Sequence, residues 1–335
     1  MSSSLPSRLY VDDDAFEAER TAVFGREWMI LGRTDELVHS GGYVAEEIAG
    51  YPVFIVLDGN GHPWGYHNVC PHRAGPILPN GRGVTDTLQC RYHGWCFSFE
   101  GALVDAPGFG DASALSGDSE RLSEISMGRA GQMLWVSLAG SAISLDEALG
   151  SLMSQCADVD FGAMQFTGHR TETMRCNWKL VVENYLDSYH AARTHSVLAT
   201  HFDMAASSVS ILDDRTTAQE ARTSNGWVMR WYYLYPNVLL QVLGSTLCWT
   251  QVLPRGPHET LLAFDFFTLP GVDDKPLRDL CAQLVRDDQP ICAAVHANMA
   301  SGVYRGAAPS SPQEHAVSWF QSRVLAAVDP RSGLG

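Results

Sequence analysis

The sequence predicts an α+β fold in which a small all-β domain sits inside a larger domain of antiparallel strands and helices. Two runs of short strand patterns, over about 38–150 and 226–268, and helical periodicity that stays apart from both lead to that expectation. Alternating β-α-β units are not seen.

Along the chain, residues 10–32 read as a helix, with Phe16, Val23, Phe24 and Trp28 among charged residues, running towards the strand-like WMILG. From Gly41 the texture changes to short strands. PVFIVL and PWGYH flank Asp58-Gly59-Asn60-Gly61, and WCFSF and ALV flank Glu100-Gly101, both hairpin patterns. The stretch 106–120, rich in Gly, Ser, Ala and Asp, reads as a surface loop, after which MLWVSL closes the β unit. From Asn177 to His190, Leu180, Val181, Tyr185, Leu186 and Tyr189 recur at helical spacing, with Asn177 as N-cap. Four strands follow, GWVMRWYYLY, NVLLQVL, TLCWTQVL and ETLLAFDFFTL, separated by Pro and Gly turns, which suits an antiparallel meander. The remainder is helical and ends in HAVSWFQSRVLAAV, with Val317, Phe320 and Val324 on one stripe. The expected division is one domain over 38–150 and another made of 1–37 and 151–335.

With 335 residues, 45% of them hydrophobic, the chain can bury a full core. A net charge of −15 argues against nucleic acid as a partner, because phosphate binding needs clustered Lys and Arg. The opening MSSSLPSRLYVDDDAFEAER is polar and acidic, unlike a secretory signal, so a cytoplasmic location is expected. No membrane span is expected, since the most apolar region, Trp227 to Leu253, contains Arg230, Pro236, Asn237 and Gln241. In that setting the eight cysteines read as thiols, metal ligands or core residues.

Cys70-Pro71-His72 and, 17 residues on, Cys90-Arg91-Tyr92-His93 put one Cys and one His on each of two loops. A structural zinc site also uses Cys2His2, but its pairs are usually Cys with Cys and His with His. Mixed pairs suit a [2Fe–2S] cluster with two thiolates on one iron and two imidazoles on the other, a ligand set that raises the reduction potential. The segments CPHRAG and CRYHGWCF resemble those of the Rieske-type non-haem iron oxygenases. That resemblance assigns Cys70 and Cys90 to one iron and His72 and His93 to the other. Cys96 and His67 lie outside the motif and read as a strand residue and a loop residue.

A ferredoxin would need only the β unit, and a zinc-stapled binding module neither iron centre, so the remaining 200 residues need a function of their own. In NWKLVVENYLDSYHAARTH, His190 and His195 are five apart, about 140° on an unbroken helix, so the helix must end or bend after His190 for both to reach one metal. Asp187, three residues before His190, can accept the imidazole's second N–H. The third ligand of a two-His, one-carboxylate face should be a distant Asp or Glu, with Asp287 and Asp288 as candidates. Pro290 also allows a new helix capped by Asp288. The stretch 177–195 resembles the iron-binding helix of the same family, which implies His190 and His195 as iron ligands and Asp187 as the acidic bridge from a neighbouring subunit's cluster. DDQPICAAVHANMASGVYRG resembles the late helix of the carnitine-type and choline-type members, whose register selects Asp288. Where those relatives carry Glu and Gln, this chain has Ala293 and His296, and His296 reads as a solvated helix residue.

The resemblance implies a helix-grip catalytic domain around a Rieske domain, two iron cofactors, and a homotrimer closed head to tail. No G-x-G-x-x-G pattern follows a strand, so NAD(P)H is expected to act indirectly, through a separate reductase or ferredoxin. Electrons are expected to enter at His72 and His93 and to cross through Asp187 to a ferrous ion that activates O2. The expected outcome is hydroxylation or oxidative demethylation of a small substrate, aromatic or heterocyclic by preference. Trp227, Trp231, Tyr232, Tyr233 and Trp249 offer material for an aromatic cage around a quaternary ammonium instead. Asn184, beside the ligands, is expected to line the pocket.

Overall fold

The computed structural model describes residues 4–110, 115, 120–187, 189–202, 209–222, 226–306 and 313–329. The chain divides into two compact units, Phe24–Leu145 and Met1–Val23 with Asp146–Gly335. The sequence boundary at 37/38 moves to 23/24 because WMILG forms a strand of the small unit, paired antiparallel with MLWVS. Most of the expected loop 106–120 lies outside the described residues.

The small unit contains β1 (Met29–Arg33), β2 (Gly42–Ile48), β3 (Tyr51–Leu57), β4 (Pro63–His67), β5 (Gly81–Val84), β6 (Leu88–Gln89), β7 (Cys96–Phe97), β8 (Leu103–Asp105), β9 (Ser126–Ala130) and β10 (Met133–Ser137). They form sheets ordered β1-β10-β9, β4-β3-β2-β5 and β6-β7-β8. Both expected hairpins are present, β3 with β4 and β7 with β8. Asp58 makes the first turn tight by accepting from the N–H groups of Asn60 and His62. His67 ends β4 and so belongs to a strand, where a loop was expected.

In the large unit, α1 (Arg8–Val11) and α2 (Asp13–Glu19) precede α3 (Leu145–Gln155), α4 (Trp178–Leu186), α5 (Ala191–Thr194), α6 (Ser196–His201), α7 (Lys275–Ala300) and α8 (His315–Val328). Strands β11 (Gln165–Met174), β12 (Val209–Ile211), β13 (Thr216–Arg222), β14 (Val228–Leu234), β15 (Val238–Leu243), β16 (Thr246–Pro254) and β17 (Thr260–Thr268) make a 7-stranded antiparallel sheet ordered β11-β17-β16-β15-β14-β13-β12. The expected meander is its β14–β17 part. Strand β11 was not foreseen: its burial alternates over an exposed, polar face, which gives no apolar run to read.

Helices α4 and α7 both pack on β16, and α7 also on β11. The amino-terminal helices are tied to α4 by buried polar contacts. Glu19, fully buried, accepts from Lys179 Nζ at 2.5 Å and Trp178 Nε1 at 2.8 Å, while Tyr10 donates to Glu183 at 2.6 Å. An ionic pair without water holds its geometry tightly, because either partner left alone would be a bare buried charge. Among the described residues, no helix is long and apolar enough to cross a membrane.

Two expectations about helices are corrected. First, α4 stops at Leu186, where Asp187 turns to extended backbone at φ −89° and ψ 100°, so His190 lies beyond the helix. Second, no new helix starts at Asp288, since α7 runs unbroken with Pro290 inside it. The cost of an internal proline is offset by packing: α7 buries Leu277, Leu280, Val285, Cys292 and Met299 along one side, and Gln289 Nε2 donates to Thr173 O at 2.7 Å.

Candidate functional site: two metal centres

The two Cys-His loops of the small unit share one backbone design. Cys70 N–H donates to Gly75 O and Ala74 N–H to Cys70 O, both at 2.9 Å; Cys90 N–H donates to Trp95 O at 2.8 Å and Gly94 N–H to Cys90 O at 3.0 Å. The equivalent fifth residues, Ala74 and Gly94, take left-handed conformations with φ of 56° and 78°. Asn68 fixes the end of the first loop by accepting from Ile77 and Leu78 N–H and donating to Leu78 O. Gly75 lets the loops meet, since a Cβ there would lie 2.8 Å from Cys90 Sγ and from Tyr92 Cβ.

The thiols of Cys70 and Cys90 are buried, and the imidazoles of His72 and His93 are half-buried with ring centres 4.8 Å apart. Trp95 stacks on His72 at 4.5 Å and 3°. Nδ1 of both histidines is buried without a hydrogen-bond partner. Orphaned polar atoms of this kind call for an explanation, and a metal ion is one. Burial, with the neighbouring Cys90, pushes the Cys70 thiol up, while desolvation and then His72 and Arg73 lower the His93 imidazole. The residues therefore fit a cluster held by two thiolates and two imidazoles.

In the large unit, His190, His195 and Asp288 converge, their ligand atoms within 4.8 Å of one another. His195 Nε2 lies 3.3 Å from His190 Nε2 and 3.1 Å from Asp288 Oδ1, and His190 Nε2 lies 3.6 Å from the same oxygen. The break after α4 makes this possible: His190 caps α5 and His195 caps α6, so neither is bound by the helical period. Two imidazole Nε2 atoms and a carboxylate oxygen that face one another in this way fit a cation between them.

The outer nitrogens are held as well. Asp187 Oδ2 is 3.2 Å from His190 Nδ1, and Asp287 Oδ2 is 3.2 Å from His195 Nδ1. Sequence reasoning expected the first contact and missed the second. Asp287 and Asp288, one helical step apart, reach opposite nitrogens of the same ring. The amide of Gln283, one turn earlier, donates to Asp287 Oδ1 at 2.6 Å. Asn184 lies where expected, with Nδ2 3.3 Å from His190 Nε2 and 3.4 Å from Asp288 Oδ1. Burial opposes charging of His190, but Asp187 and Asp288 outweigh it and raise its pKa to about 9. The same pairing holds Asp288 low against the opposing effect of burial. Such a site attracts a cation.

A cavity of about 110 Å³ opens onto these ligands. Its wall is mostly apolar, from Leu239, Leu262, Leu284 and Val285, with Gln219, Gln241 and Thr250 as polar members. Of the five aromatics singled out in the sequence, Trp231 lines it, joined by Tyr185 and Phe264; Trp227 is exposed, and Tyr232, Tyr233 and Trp249 are core. His296 is buried, not solvated, with Nε2 2.9 Å from His258 Nδ1.

Residues 27–115 match the Rieske [2Fe-2S] domain family, and residues 161–329 match the family of ring hydroxylating alpha subunits (catalytic domain). The chain is similar to the chloroplastic choline monooxygenase of Atriplex hortensis, 26% identical over 94% of this chain and 76% of that one. It is 30% identical to the glycine betaine monooxygenase oxygenase subunit of Chromohalobacter salexigens over 58% of this chain and 44% of that one. A crystal structure of the quaternary ammonium Rieske monooxygenase CntA shares the fold, with a TM-score of 0.86 and 19% identity over 98% of this chain and 96% of that one. Together the two matched domains imply a Rieske [2Fe–2S] cluster and a mononuclear iron, supplied with electrons by a reductase. With both domain families matched in one chain, the catalytic one over half its length, this protein belongs to the Rieske-type non-haem iron oxygenases.

Proposed function

We propose that Cys70, His72, Cys90 and His93 hold the [2Fe–2S] cluster, that His190, His195 and Asp288 hold the ferrous ion, and that the enzyme oxygenates a compact ammonium compound. The observation that carries the catalytic assignment is the convergence of those three side chains on the wall of one mostly apolar cavity. When bound, the ferrous ion supplies O2 activation and the cluster supplies single electrons. The chain's own residues do the rest. Asp187 and Asp287 hold the outer nitrogens of His190 and His195, fixing which ring nitrogen faces the metal. Asn184 steadies the ligands from the side, and the apolar wall keeps water from the reacting carbon.

Asp187 is the residue we assign to electron entry from a neighbouring subunit, in a homotrimer acting in the cytoplasm. Its support is the bond to His190 Nδ1 and a side chain that keeps 21% of its surface exposed. CntA is described in terms of inter-subunit electron transfer. An N-methylated ammonium substrate is supported by the relatives, which act on choline and glycine betaine, and by three aromatic rings in the cavity wall. A compact aromatic or heterocyclic substrate is the second reading, favoured by the apolar side chains between them.

Metal and sulfide analysis tests the assignment: three irons and two labile sulfides per chain are expected, falling to two irons with sulfide unchanged in Asp288→Ala. Zinc in place of iron and sulfide would end it. A panel of amines, betaines and aromatic acids, scored by substrate-dependent NADH consumption with a surrogate reductase, tests the substrate. Consumption with aromatic acids alone would reject the ammonium class.

A further inference from the structure

We infer that Gln283 is a positioning residue for the proposed iron ligand His195, acting through Asp287 and itself oriented by Arg286. This rests on the mononuclear iron assignment proposed above and extends it to side chains that touch neither metal nor substrate. Gln283, Arg286 and Asp287 all stand on α7, with about one helical turn between Gln283 and the other two. Gln283 Nε2 donates to Asp287 Oδ1 at 2.6 Å, and Arg286 Nη2 donates to Gln283 Oε1 at 2.7 Å. The second carboxylate oxygen, Asp287 Oδ2, faces His195 Nδ1 at 3.2 Å.

The chemistry of the partners sets the direction of each bond. A guanidinium only donates and a carboxylate only accepts, so the amide between them must turn its oxygen to Arg286 and its nitrogen to Asp287. The reversed amide would place N–H against N–H and oxygen against oxygen. With Oδ1 held in this way, the Asp287 carboxylate cannot rotate without breaking its bond to Gln283, and Oδ2 stays turned to His195. That imidazole then carries its proton on Nδ1 and turns the lone pair of Nε2 to where it meets His190 Nε2 and Asp288 Oδ1.

A Gln–Asp pair at this spacing on a bare helix adds only a little helix stability. Two observations set this pair apart. Its carboxylate has the other oxygen on the ring of a histidine that is only 3% exposed. The clasp on the other imidazole is built to the same plan, since Asp187 Oδ2 meets His190 Nδ1 while Asp187 Oδ1 accepts from Tyr189 N–H at 2.7 Å. Each carboxylate thus gives one oxygen to a ring and has the other anchored, by the backbone for His190 and by a side chain for His195. From α7 the cavity wall takes Cys281, Leu284, Val285 and Asp288, and Gln283, Arg286 and Asp287 are not among its described residues, so Gln283 acts on the site from behind.

The test is ferrous binding to the cluster-loaded protein without O2, read by competition with a chelator, in a double-mutant cycle of Gln283→Met and Asp287→Ala. Gln283→Met keeps the chain length and the helical preference and removes both bonds. Alone it should weaken ferrous binding by about threefold to tenfold, and by less than about 1.5-fold where Asp287 is already replaced, because the path to His195 has then gone. The EPR line shape of the nitric oxide adduct of the bound iron, which helix stability by itself does not move, should change in both single variants. An affinity in Gln283→Met within about 1.5-fold of the unaltered protein, a loss of equal size in both backgrounds, or an unchanged line shape would each overturn the role. Iron lost in Asp288→Ala with no effect of Gln283→Met rejects the positioning role alone. Iron retained in Asp288→Ala rejects the assignment beneath it, and the role with it. Should Gln283→Met not fold, as judged by its melting curve, Gln283→Ala takes its place in the cycle, since it removes the same bonds and adds no atoms.

Discussion

Replacing Asp287 by Ala should weaken the mononuclear iron without touching any of its three proposed ligands. His195 is 3% exposed, and its Nδ1 has the Asp287 carboxylate at 3.2 Å as its partner. A hydrogen bond to a charged group contributes about 1.5–3 kcal/mol, and each ~1.4 kcal/mol is tenfold in binding, so ferrous affinity should fall about 10-fold to 100-fold. That agrees with the usual effect of removing a carboxylate behind a metal-bound histidine. Asp287→Asn keeps an oxygen acceptor and loses only the charge, and should fall at the lower end. The assay is ferrous binding in competition with a chelator, without O2, with the visible spectrum of the cluster as an internal check that the small unit is intact. Ferrous affinity in Asp287→Ala within about twofold of the unaltered protein would refute the reasoning, because His195 would then be oriented by packing alone.

Asp187→Asn should retain iron and sulfide at full content, since the amide oxygen can still accept from His190 Nδ1, yet stop NADH-coupled turnover; normal turnover would remove Asp187 from the electron path. Gly75→Ala should abolish the visible cluster spectrum and labile sulfide while one iron per chain remains, because the new Cβ would meet Cys90 Sγ at 2.8 Å. Lys179→Met should cost about 3–5 kcal/mol in urea unfolding by leaving Glu19 buried and unpaired, and Glu19→Leu added to it should recover most of the loss. A double variant no better than the single one would show that Trp178 Nε1, the other partner of Glu19, dominates.

Several parts of the fold were legible because local signals sufficed. The β3–β4 hairpin follows from Asp58-Gly59-Asn60-Gly61, and the start of α4 from Asn177, whose side chain accepts from Lys179 N–H at 3.1 Å. Strands β14 to β17 carry nearly continuous apolar runs. Other parts were hidden where a neighbour outweighed the local preference. Pro290 signals a helix break, and only the packing of α7 along its buried side overrides it. His190 and His195 sit at a spacing that a single helix forbids, and the end of α4 at Leu186 resolves it.

The two Cys-His pairs and the His190/His195 pair with Asp187 were fixed in the sequence, because ligand chemistry and short spacing within one segment need no knowledge of the rest of the chain. Asp288 was selected in the sequence only through the resemblance, and its meeting with His190 and His195, like the clasp of Asp287 on His195, was decided by tertiary structure. Both depend on α7 arriving at α4–α6 from a distant part of the chain, and at consecutive positions such as 287 and 288 only the angle of that arrival separates the residue proposed to meet the metal from the one that holds its ligand.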